Sequence, residues 1–278
     1  MISHNLNLKI FLEELVFFGL VGIISIFSAG RIYKLNLVSQ IQAPQISWWQ
    51  FLIAFGIGTA IVLGLIRILH GGRFLRAFFI FALYAGTITT LQIFIPYASA
   101  FIVSLILIIF YLIKPYVWFH DLVLVLTLSG VAAVLGVSLS SYSVAVLLVV
   151  MSVYDYVAVY KTKHMIKMAK AMIKGRAIFA MIFPEHVGGF LSHIDEARPG
   201  EGFMMLGTGD FVFPMIMAVS AFSLSPAAAW TVFGFSILGL LLTHLIFVSQ
   251  KVRQPMPALP PLAASAILGF AIATLFLK

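Results

Sequence analysis

Residues 206–217 read LGTGDFVFPMIM, a stretch in which the carboxylate of Asp210 follows two glycines and precedes a run of aromatic and aliphatic side chains. A carboxylate deep in a membrane span costs about 2.5–3.5 kcal/mol even on lenient scales. The chain has only nine Asp and Glu among 278 residues, so putting one here calls for a reason. Whether the surrounding run crosses a bilayer decides the fold.

Working outward, the composition settles the solvent. Hydrophobic residues make up 62% of the chain and charged residues 9%, with a mean hydropathy of +1.12. Soluble domains carry about a quarter charged residues, so too little polar surface exists to cover a water-soluble fold. Apolar runs of about 17–25 residues are candidate spans. Nine occur, at 15–33, 47–69, 74–95, 98–113, 118–137, 142–160, 203–222, 227–248 and 259–277, with Pro96 dividing the third from the fourth. They lack the alternation of barrel strands, and lipid-exposed backbone must satisfy its own hydrogen bonds, so the runs are helices. Trp48, Trp49, Tyr116 and Trp118 fall at span edges, as interfacial aromatics do. The expected fold is an all-α polytopic membrane protein of about nine transmembrane helices. Lys9, Glu13 and Glu14 precede an apolar run too long for a cleavable leader, and no A-x-A site follows.

The charges supply an orientation. With the N-terminus in the cytoplasm, fourteen of the 17 Lys and Arg face inward, and only Arg31, Lys34 and Lys278 face out. The positive-inside rule therefore predicts a cytoplasmic N-terminus and an external C-terminus. The net charge of +8 is read as a topology signal, and no nucleic-acid partner is needed to explain it. The absence of cysteine excludes disulfides, thiol nucleophiles and cysteine-ligated metals. No H-E-x-x-H occurs and the seven histidines are scattered, which disfavours a metalloprotease and leaves no metal or cofactor to expect.

From 161 to 201 the chain turns polar. KTKHMIKMAKAMIKGR (161–176) spaces Lys163, Lys167, Lys170 and Lys174 on one helical face and Met165, Met168, Ala169 and Met172 on the other. This suits a basic amphipathic helix on an anionic leaflet, and equally a solvated extension of the sixth span. PEHVGG and the charged residues after it read as flexible loop. Gly56, Ala60 and Gly64 form a small-xxx-small ridge suited to close helix packing. His244, alone in the eighth span, reads as a hydrogen-bonded packing residue, and Asp121 as interfacial.

Setting aside Glu13, Glu14, Asp121, Glu185, Asp195, Glu196 and Glu201 as loop or interfacial acids leaves Asp155 and Asp210 inside spans. Asp155 lies six residues before Lys161, roughly 9 Å along a helix. Asp210 lies nine residues after Glu201, at most about 13 Å if helical, and any unwinding at Gly202, Gly207 or Gly209 changes that figure. Antiparallel neighbours bring the two to similar depth. Carboxylates that meet in a poorly solvated site cannot both ionise cheaply, so the pair keeps one proton and can act as base and acid toward water. Position alone leaves two readings open: an aspartyl protease, or a proton-coupled transporter or ion pathway using the same acids.

The flanking residues separate them. Tyr154-Asp155, Gly207-Thr208-Gly209-Asp210 and Pro257-Ala258-Leu259 resemble the YD, GxGD and PAL motifs of the presenilin and signal peptide peptidase family, in the same order along a nine-span chain. The likeness is greatest to its prokaryotic, archaeal members. The variable position of GxGD, commonly an apolar residue, is Thr208 here, which bears on substrate preference. The resemblance implies a presenilin-like fold and one membrane-embedded protease domain over 1–278, with spans within 15–160 and 203–277 and a cytoplasmic loop at 161–201. It implies an intramembrane aspartyl protease in a prokaryotic cell membrane, with Asp155 and Asp210 catalytic and Tyr154, Gly207, Thr208, Gly209, Pro257, Ala258 and Leu259 shaping the site. Its expected partners are lipid, transmembrane-helix substrates running from N-terminus outside to C-terminus inside, and other copies of itself. Gly207 and Gly209 would let a substrate strand approach the backbone, and Pro255, Pro257, Pro260 and Pro261 would keep the start of the last span non-helical.

Overall fold

The computed structural model describes residues 4–35, 47–68, 72–161, 172, 175–198, 200–250 and 255–277. Among the described residues, nine helices follow the nine apolar runs: α1 (His4–Lys34), α2 (Trp48–Ile68), α3 (Gly72–Phe94), α4 (Tyr97–Ile113), α5 (Val117–Ser138), α6 (Ser141–Tyr160), α7 (Thr208–Ala221), α8 (Pro226–Ser249) and α9 (Leu259–Phe276). Six of them are long and apolar enough to cross a membrane, while α4, α7 and the first half of α2 are shorter apolar helices. Helix ends carry readable signals. Pro96 separates α3 from α4, and the Ser140 and Ser225 hydroxyls cap α6 and α8 by accepting from the amides of Ser143 and Ala228.

Helix α5 is the hub, packed against α1, α3 and α7, with α8 and α9 closing the other side of α7. Small residues permit these approaches. A Cβ on Gly136 would stand 2.5 Å from Val219 of α7, and one on Gly239 would stand 2.9 Å from Ser265 of α9. Without a hydrophobic drive between helices in lipid, such contacts and interhelical hydrogen bonds hold the bundle. Thr127 Oγ1 donates to Leu83 O at 3.2 Å and Ser129 Oγ to Val21 O at 3.3 Å.

Of the ridge read from the sequence, Gly56 and Gly64 have nothing among the described residues within 4 Å of where a Cβ would stand. The basic stretch at 161–176 lies largely outside the described residues.

Two departures concern the region before α7. The loop at 161–201 holds a strand, β1 (Ala180–Pro184), and the stretch from PEHVGG onward, expected to be flexible, holds a 3-10 turn at Val187–Leu191. The seventh apolar run is not helical throughout, since β2 (Phe203–Gly207) precedes α7. The strands pair antiparallel, with Ala180 opposite Gly207 and Pro184 opposite Phe203. Gly200 and Gly202, at φ of +84° and +83°, make the turn that a side chain would strain. Burial drives the pairing: Met181, Ile182 and Phe183 are fully enclosed.

Two acids taken as loop or interfacial are instead buried. Glu14 sits inside α1 with Oε2 2.8 Å from Nδ1 of His244, which makes His244 the hydrogen-bonded packing residue anticipated. Asp121 is fully enclosed because β1 packs over the start of α5.

Candidate active site

Each carboxylate of the candidate pair meets a helix N-terminus, where the first amides have no intrahelical acceptor. Asp210 is the third residue of α7, after the N-cap Gly207. Its side chain reaches back and accepts a hydrogen bond from the Gly207 amide. This is one half of a capping box, so the spacing of GTGD places the acid by local geometry alone. Asp155 lies near the end of α6, and its Oδ2 accepts from the amide of Leu259, the first residue of α9, at 3.2 Å. Helix α6 packs against both α7 and α9. The two acids thus lie on neighbouring helices.

The other sequence-derived residues take distinct places. Pro257, Ala258 and Leu259 are buried: Pro257 lies just outside the helix, Ala258 is the N-cap of α9 at φ and ψ of −89° and −26°, and Leu259 is its first residue. Pro260 and Pro261 fall inside the first turn of α9 rather than before it, because proline fits where an amide has no partner. Tyr154 is 57% exposed on α6, turned away from the enclosed side of Asp155. The Thr208 amide donates to Phe179 O at 3.2 Å, extending the sheet by one bond. The two glycines differ. A Cβ on Gly207 would stand 3.1 Å from Asp210 Oδ2, whereas one on Gly209 would make an ordinary 3.6 Å contact with Phe213. Pro214 lies within α7 and removes the amide that would bond the Asp210 carbonyl.

Leu259 carries a test. Its side chain is 4% exposed and its amide holds Asp155. Leu259→Gly removes the packing and frees the backbone, and is expected to slow cleavage about 10-fold or more. The volume-conserving Leu259→Met should stay within about 3-fold of wild type. Cleavage rates per folded protein, with thermal unfolding alongside, decide between them.

A bundle of apolar helices that holds two acids in its interior fits the intramembrane aspartyl protease that the motifs resemble. Comparison with known proteins agrees: the sequence profile of "Signal-peptide peptidase, presenilin aspartyl protease" matches residues 33–278, and the chain belongs to that family. Two solved structures of a presenilin family intramembrane aspartate protease are similar to it. The one in space group C222 superposes with a TM-score of 0.66 at 27% identity, covering 95% of this chain and 98% of that one. The one in P2 gives 0.61 at 29%, covering 92% and 96%. A search of curated proteins finds no match. The chain is therefore an aspartic endopeptidase acting on membrane-embedded substrates in a lipid bilayer, and the transporter reading falls away.

Proposed function

We propose that Asp155 and Asp210 are the catalytic pair, within a single protease domain formed by the whole chain. What supports this is their placement: Asp155 on α6 accepts from the amide that starts α9, and Asp210 lies in the first turn of α7, two helices that both pack against α6. The substrate helix unwinds beside the pair to present its scissile carbonyl. The ionised carboxylate takes a proton from water as the water oxygen attacks the carbonyl carbon. The protonated carboxyl hydrogen-bonds the carbonyl oxygen, and a proton then passes to the departing amine as the C–N bond breaks. Glycine at 207 keeps the backbone beside Asp210 open to an extended substrate, and among the described residues β2 pairs with β1 in a two-stranded sheet. Purified protein incubated with a transmembrane peptide should yield products cut within the apolar segment, mapped by mass spectrometry. Zinc chelators should leave the rate unchanged, and inhibition by chelators would point to a metal enzyme.

Charge orients the enzyme, and its resemblance to presenilin then orients the substrates. The 161–201 segment and the N-terminus are cytoplasmic, in the cell membrane of a prokaryote, so substrates run from N-terminus outside to C-terminus inside and are cut toward their cytoplasmic end. Glu196 and Ser223 are exposed on opposite sides of α7 in sequence, and the chain has no native cysteine. In intact cells, Ser223→Cys should react with a membrane-impermeant thiol reagent and Glu196→Cys should not. The reverse pattern would invert the enzyme and its substrates.

A further inference from the structure

Strand β1 has two backbone edges, and both are occupied. Its odd-numbered side faces β2 and continues past the strand ends, where Phe179 O accepts from the Thr208 amide and the Glu185 amide donates to Gly202 O. Its even-numbered side faces the helices. There His120 Nε2 lies 3.0 Å from Ala180 O, Asp121 Oδ1 accepts from the Ile182 amide at 3.0 Å, and Lys9 Nζ donates to Pro184 O at 3.0 Å. Alternate residues of a strand point to the same edge, so 180, 182 and 184 form one continuous row held by side chains of α5 and α1.

His120 and Asp121 are fully buried. A carbonyl can only accept, so Nε2 of His120 carries the hydrogen, and Nδ1 receives the Tyr111 hydroxyl at 3.2 Å. Asp121 Oδ2 has no partner. A buried polar atom left without one is costly, and no fold requirement at the start of a membrane helix calls for an acid there. The acid does one visible thing, which is to take up the Ile182 amide.

We propose that Asp121 and His120 are positioning residues for the reaction, acting through β1. They fix β1 against α5; β1 fixes β2 by its ladder; and the last residue of β2, Gly207, gives its amide to Asp210. The path from α5 to the candidate catalytic acid is a chain of backbone hydrogen bonds with no mobile side chain between the first and last links. This rests on the reading of Asp210 as catalytic.

The test compares substitutions that keep or delete the hydrogen bond. Asp121→Leu should lower kcat about 10- to 100-fold, the cost of a displacement on the order of 1 Å at a reacting group. Asp121→Asn keeps an oxygen that accepts from Ile182, and should hold kcat within about 3-fold of wild type. His120→Leu should be impaired, and His120→Gln, whose amide can donate to Ala180 O, should recover most of the loss. Hydrogen exchange over 178–186 should be faster in both leucine variants. A residue needed only for folding would change the yield and melting temperature but not kcat of the folded fraction. Folded Asp121→Leu with wild-type kcat overturns the proposal. So does Asp121→Asn as impaired as Asp121→Leu, since charge rather than the hydrogen bond would then be required. Should Asp121→Leu fail to fold, the His120 pair decides by the same two outcomes. Asp210→Ala is run in parallel: cleavage retained there refutes the catalytic reading itself, independently of the α5 variants.

Discussion

Replacing either Asp155 or Asp210 by Ala is expected to stop cleavage, lowering kcat by a factor on the order of 10⁴ or more, while leaving the protein folded. The size follows from the roles. One carboxylate must accept the proton of water while the other donates, and neither step has a substitute once a partner is gone. The double variant should be hardly worse than either single one, because residues acting as a unit are grossly non-additive. Folding should survive because each side chain takes only one amide bond, from Leu259 or Gly207, and those amides lie at helix starts. The measurement is product formation from a transmembrane peptide, with circular dichroism and size-exclusion profiles as folding controls. Normal cleavage by Asp210→Ala would refute the pair.

The second large effect is expected at Gly207. Its φ and ψ of −61° and 144° suit any residue, so backbone strain is not the issue. The contact is: a Cβ would stand 3.1 Å from Asp210 Oδ2, closer than an ordinary van der Waals contact. Gly207→Ala must push the carboxylate aside by a few tenths of an ångström, and Gly207→Val by more. Misplacement on the order of 1 Å costs about 10²-fold, so kcat should drop about 10-fold for alanine and about 100-fold for valine. Gly209→Ala meets only the Phe213 ring at 3.6 Å and should stay within about 3-fold. Equal losses at both glycines would mean that the motif serves backbone flexibility, not clearance for the acid.

What the sequence made legible depended on how far apart the cooperating residues lie. The helices show in apolar runs, because lipid demands them along the whole of each span. Asp155 and Asp210 stand out because acids are scarce, and the GTGD spacing is a local matter of one helical turn. The strands were hidden for opposite reasons. Ala180–Pro184 is an apolar run within a polar loop, too short to claim a structure by itself. Phe203–Gly207 merges with the apolar start of the next helix, so no change of pattern marks the switch from strand to helix. The apolar run AIFAMIFP (177–184), bounded by Arg176 and Glu185, was the available signal, and Gly200 and Gly202 marked the turn. Asp121 and Glu14 were misplaced because depth was counted from span ends. Their burial is made by Ile182 and His244, 61 and 230 residues away in the chain.

Helix α7 is 14 residues long. At 1.5 Å per residue that is about 21 Å, against a hydrocarbon layer of about 30 Å. The missing 9 Å or so cannot be bare backbone in lipid. It is made up by β2, whose strand is sheltered by β1 and the surrounding helices. Phe211 and Met215–Val219 of α7 are buried among the neighbouring helices, so its shortfall is taken up inside the protein and asks nothing of the lipid. Asp210 rides at the joint between β2 and α7, at a height set by the strand and not by the membrane.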